Sequence, residues 1–78
     1  MPKQGTVHYR ARLAMKQAEL AEKAQIEVGR LSRIENGDVI PTPEEVDRIA
    51  AALGTIPNLL FTPAVLGAVA EKAREEVA

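Results

Sequence analysis

Residues 17–34 read QAELAEKAQIEVGRLSRI, and their apolar positions fit two short helices joined by a tight turn. In the first, Leu20, Ala21 and Ala24 share one face while Glu19, Glu22 and Lys23 point outward. A break falls around Gln25 and Ile26. In the second, Leu31 and Ile34, three residues apart, form the buried pair, and Asn36-Gly37 ends the helix because both residues tolerate a left-handed backbone. Two short helices with this turn make a helix-turn-helix, whose second helix can lay its outer face into the major groove of DNA.

Outward from this unit the chain is helical throughout. A first helix is expected to begin near Thr6 or Val7, with an apolar side built from Val7, Ala11 and Ala14 and with Tyr9 and Leu13 beside them. The loop 38–43 holds Pro41 and Pro43, and Thr42 before Pro43 and Glu44 reads as an N-cap with Pro at N1. The fourth helix carries Val46, Ile49, Ala50 and Leu53 at helical spacing and stops at Gly54. Residues 57–61 form a short fifth helix, and Thr62-Pro63 repeats the cap-and-proline start of a sixth. No internal repeat or low-complexity tract interrupts the series.

Seventy-eight residues allow one small domain with no room for a separate catalytic module. Apolar residues make up 46%, but Tyr9 and Phe61 are the only aromatics, so small-residue helix packing is expected rather than a sheet. The chain has no cysteine, no signal-peptide pattern and no stretch of about 20 apolar residues, which points to a soluble protein of a reducing cytoplasm. Ser32 is the only serine and His8 the only histidine, neither with an evident partner, so an enzyme, a metal site, a cofactor and a small-molecule ligand are not expected. The scarcity of aromatic platforms argues against recognition of single-stranded nucleic acid. Net charge is −1, unevenly spread: seven bases face five acids up to residue 40, and three face six beyond it. That polarity would orient the N-terminal half toward a polyanion.

Residues 7–61, which include YRARLAMKQAELAEKAQIEVGRLSRIENGDVIPTPEEVDRIAAALGTIPNLLF, resemble the Cro/C1-type (lambda-repressor-like, XRE) helix-turn-helix domain. The resemblance rests on Gln17 opening helix two, Leu20-Ala21, Leu31 with Ile34-Glu35-Asn36-Gly37, the proline after the loop, and Ile49-Ala50 with Leu53-Gly54. It implies an all-α, compact five-helix DNA-binding domain, here with an additional C-terminal helix, that acts as a cytoplasmic dimeric regulator on short inverted repeats. It also implies an ion pair between Arg10 and Glu35 that ties helix one to helix three, and a phosphate contact from Asn36.

At 100° per residue, Gly29, Arg33 and Asn36 lie opposite Leu31 and Ile34 and face the groove. Arg33 can fork onto guanine O6 and N7 or rest on a phosphate; Val28 suits a thymine methyl, and Ser32 reaches a base or a phosphate. Glu27 either caps the helix or accepts a hydrogen bond from cytosine N4. Gly29 either lets the backbone approach DNA closely or leaves fewer base contacts, in which case part of the specificity would come from DNA shape. Phosphate contacts are expected from Lys16, Gln17, Arg30, Asn36 and Thr42, with capping as the alternative at Gln17 and Thr42. Gln25 stands where a glycine would accept the left-handed turn at little cost.

The expected organisation is a flexible arm at 1–5, a helix-turn-helix domain at 6–61, and a C-terminal amphipathic helix at 62–78. The apolar stripe Val65, Leu66, Val69, Ala73 and Val77, with Leu59 and Phe61 nearby, either mates across a two-fold axis or folds back onto the domain. The functional expectation is a repressor that binds duplex DNA as a homodimer. An antitoxin or restriction-controller regulator would differ only in genetic context, whereas a protein-binding adaptor on the same scaffold would use helix three or the last helix for a protein partner.

Overall fold

The computed structural model describes residues 5–77, the side chain of Val77 excepted. Six helices follow one another: α1 (Gly5–Arg12), α2 (Gln17–Ala24), α3 (Val28–Asn36), α4 (Pro43–Leu53), α5 (Pro57–Leu60) and α6 (Pro63–Val77), with no strand among the described residues. Leu20, Leu31, Ile34, Ile49, Leu60 and Phe61 are the large side chains at the centre of one core. α2 packs against both α3 and α4, while α5 bridges α1, α4 and α6.

Four helices end in the same way. Ala14, Gln25, Gly37 and Gly54 each have a positive φ of 53° to 79°, and in each case the next residue's N–H reaches back five positions to a carbonyl of the final turn. This paired closure satisfies carbonyls that a helix end leaves without partners. Between α2 and α3 the residue carrying it is Gln25, whose N–H donates to the Glu22 carbonyl while Ile26 donates to that of Ala21 at 2.9 Å. Arg48 of α4 adds a third hold, donating from Nε to the Ala24 carbonyl at 2.9 Å. The turn therefore has a fixed shape even without glycine.

α4 starts from a capping box. Thr42 Oγ1 accepts from the Glu45 backbone N–H, and Glu45 Oε1 accepts in return from that of Thr42 at 2.8 Å. α6 starts from Thr62, whose hydroxyl accepts from Val65 N–H.

Two expectations need correction at the N-terminal end. The inward residues of α1 are Thr6, fully buried, and Tyr9, whereas Ala11, Leu13 and Ala14 are exposed. Ala11 lies about 200° around the helix from the inward-facing Tyr9, while Leu13 and Ala14 fall past the end of α1 at Arg12, where Ala14 is left-handed and the helical period does not extend. Gly5, assigned to a flexible arm, instead opens α1 in close contact with α5: a Cβ there would come within 2.7 Å of the Leu59 carbonyl oxygen. The remainder of that arm, residues 1–4, lies outside the described residues.

The α6 stripe divides in two. Val69 is buried in this chain's own core with Phe61, so neither is presented to a partner, which corrects their place among the dimerisation candidates. Val65, Leu66 and Ala73 are half-buried, Leu59 is exposed, and the Val77 side chain lies outside the described residues.

Candidate nucleic-acid interface

α3 is fastened along both edges by arginine–carboxylate pairs. On one edge Arg10 of α1 reaches Glu35 with two donors, Nε to Oε2 at 2.8 Å and Nη2 to Oε1 at 3.1 Å, and a third donor goes to the Met15 carbonyl at 3.1 Å. Gln17, first residue of α2, adds its Nε2 to Glu35 Oε1 at 2.7 Å. Three donors on one carboxylate allow Glu35 to be buried as an ion, since each replaces a lost water contact. The cluster ties α1, α2 and α3 at one point.

On the other edge Arg30 forks onto Glu45 of α4, Nε to Oε2 and Nη2 to Oε1, the latter at 2.8 Å. The Arg30 hydrogen bond holds the Glu45 carboxyl below its ordinary range, burial pushes the opposite way, and the Thr42 N–H assists Arg30. The same contact raises the Arg30 guanidinium above its usual value against the pull of burial. Glu45 therefore serves two ends at once, as capping-box acid of α4 and as anchor for α3.

Between these edges runs the outward stripe. Gly29, Arg33 and Asn36 are exposed, Ser32 is half-buried beside them, and Val28 is exposed at the start of the helix. Arg33 makes no ion pair among the described residues, in contrast to Arg10 and Arg30. Lys16, exposed and extended, is the N-cap of α2 but supplies no side-chain cap, so the N–H groups of α2's first turn have no capping side chain among the described residues. Thr42 is exposed at the start of α4.

Three expected roles change in this geometry. Arg30, expected on a phosphate, has its fork engaged by Glu45, because the two meet across the α3–α4 angle. Gln17, expected on a phosphate through its amide, has that amide turned to Glu35. Glu27 is the N-cap residue of α3 by backbone conformation, yet its carboxylate makes no cap hydrogen bond. Sequence reasoning missed Glu45 and Arg48. The signal for Glu45 was present, a Thr followed three residues later by Glu, whereas nothing local marks Arg48 as the partner of a carbonyl 24 residues away.

A helix-turn-helix family model, of the Cro/C1 (XRE) type, matches residues 8–57, from α1 to the first residue of α5. The chain belongs to the Cro/C1-type helix-turn-helix family. Members of this family are DNA-binding domains, and in this chain α2 and α3 supply the helix-turn-helix on the all-helical fold. α6 lies beyond the family match. No curated protein and no solved structure gave a significant match to the chain. No helix among the described residues is long and apolar enough to cross a membrane.

Proposed function

We propose that this chain is a sequence-specific repressor that binds duplex DNA as a homodimer, with α3 in the major groove. The observation that carries the reading is the outward stripe of α3, unpaired among the described residues, on a helix whose two edges are each fixed by a forked ion pair. A helix held this way presents its side chains without first having to be ordered, which favours readout of base edges. Arg33 is the base reader for guanine, Val28 meets a thymine methyl, and Ser32 and the open face at Gly29 complete the contact. Lys16, Asn36, Thr42 and the first-turn N–H groups of α2 hold phosphates on either side. Arg10, Gln17, Arg30, Glu35 and Glu45 position α3 and need not touch DNA.

Dimerisation is assigned to the surface left after α6 folds back. Ile56 and Leu59, 57% and 56% exposed, stand one helical turn apart beside a concavity whose rim includes Asn58, Pro63 and Leu66. Projecting apolar side chains next to a cavity can be self-complementary across a two-fold axis. Repression follows from occupancy, because a domain of this size blocks a promoter simply by covering it.

The test is selection of bound fragments from a genomic duplex library at two salt concentrations, with sedimentation of the free protein at micromolar concentration. The expected results are an enriched inverted repeat, affinity that falls with salt by a slope of about −0.9 per phosphate contact, and a dimer. Absence of any enriched sequence would favour a protein-binding adaptor, and a monomer both free and on DNA would remove the dimer.

A further inference from the structure

Glu27 is an acidic side chain at the groove end of α3, and it has no side-chain hydrogen bond or ion pair among the described residues. It occupies the N-cap position of α3 without a cap hydrogen bond, it is exposed, and it joins no ion pair among the described residues. Its carboxylate instead leans over the gap at Gly29. A Cβ built on Gly29 would stand 3.8 Å from Glu27 Oε1 and would meet nothing else beyond its own helix within 4 Å. Gly29 is one of the residues facing away from Leu31 and Ile34, so the carboxylate is carried onto the outward stripe, with Arg33 one turn further along. The stripe thus presents an acceptor, a space without a side chain, and a donor fork.

An unpaired carboxylate facing DNA is repelled by phosphate unless a base gives it a hydrogen bond. In the major groove only cytosine N4 and adenine N6 offer donors. Adenine sets its N7 acceptor beside the amine, where it would face the second carboxylate oxygen; cytosine has only a C–H there. Guanine and thymine present acceptors alone on their hydrogen-bonding edge. On the reading that α3 enters the major groove, we propose that Glu27 is a specificity-determining residue that selects cytosine at one base position by accepting from its N4 amine, the missing side chain at Gly29 making room for the approach. The carboxylate also rejects the other three bases, so it narrows the set of sites more than it strengthens binding to the right one.

The experiment is selection from a randomised duplex library with the full chain as wild type, Glu27→Ala, Glu27→Gln and Arg33→Ala. Wild type is expected to require cytosine at one position, preferring it about five- to tenfold over the other bases, as one charge-assisted base contact allows. Glu27→Ala should lose that requirement while keeping the position read by Arg33, and should bind random duplex more tightly because a repelled charge is gone. Glu27→Gln should move the preference to adenine, whose N6 and N7 match an amide. Arg33→Ala should relax a different position and leave the cytosine in place. An enriched sequence without a cytosine requirement, or a requirement that survives in Glu27→Ala, overturns the proposal and leaves DNA binding standing. Failure of wild type to enrich any sequence overturns both.

Discussion

The Arg10–Glu35 and Arg30–Glu45 pairs use the same forked geometry on opposite edges of α3, but at different depths. In the first the side chains are 17% and 3% exposed, and in the second 39% and 8%. Depth decides what each pair does. A carboxylate with no water around it depends on its donors, so the inner pair is a condition of folding. The outer arginine is partly solvated and its carboxylate has a second partner in Thr42, so the outer pair adjusts the angle of α3 more than it holds the core.

The contrast breaks most visibly at Arg10. Arg10→Ala leaves Glu35 buried with only the Gln17 amide, and a loss of about 3–5 kcal/mol is expected, enough to unfold much of a domain this small. Urea denaturation followed by circular dichroism measures it. Arg30→Ala should cost roughly 1–2 kcal/mol by the same method, because solvent and Thr42 compensate. A loss at Arg30 equal to that at Arg10 would erase the distinction.

Acid probes the outer pair without mutation. Glu45 is held below its ordinary value of 4.5, so its contribution is complete above that pH and is lost as the pH falls through its lower folded value. Stability should therefore decline below about pH 4.5, and Glu45→Gln should flatten that part of the curve in thermal melts taken between pH 6 and 3. The smallest effect concerns the turn that joins the two helices. Gln25 holds φ at 56°, so Gln25→Gly should raise stability by about 1 kcal/mol or less, offset in part by the greater freedom of glycine in the unfolded chain.

The inner edge and the outer edge also differ in how far the sequence announces them. Leu20, Ala21, Ala24, Leu31 and Ile34 follow a helical period, and the stops at Gly37 and Gly54 and the cap at Thr42 are local signals, so the helices around the turn could be read directly. Arg30–Glu45 could not, because it depends on the angle between α3 and α4, and an arginine on the side of α3 reads equally well as a phosphate contact. The same limit applies to Gln17, whose amide has two suitable targets and is drawn to the buried carboxylate. At α1 the misleading feature is Ala14: with φ at 53° it closes the helix early, and alanine gives no warning of a left-handed backbone. Phe61 and Val69 fit an apolar stripe, but periodicity does not say whether such a stripe meets its own chain or another. The outward residues of α3 were legible as positions, since they are what remains when the buried face is known.

The most direct test of a clamped reading helix is to titrate isotope-labelled protein with the duplex it selects and to follow the backbone amide signals. The expected result is that the perturbations gather on residues 27–36 and on the first turn of α2, spread to Thr42, and leave the far end of α6 unchanged. Perturbations confined to α5 and α6, with α3 silent, would contradict it.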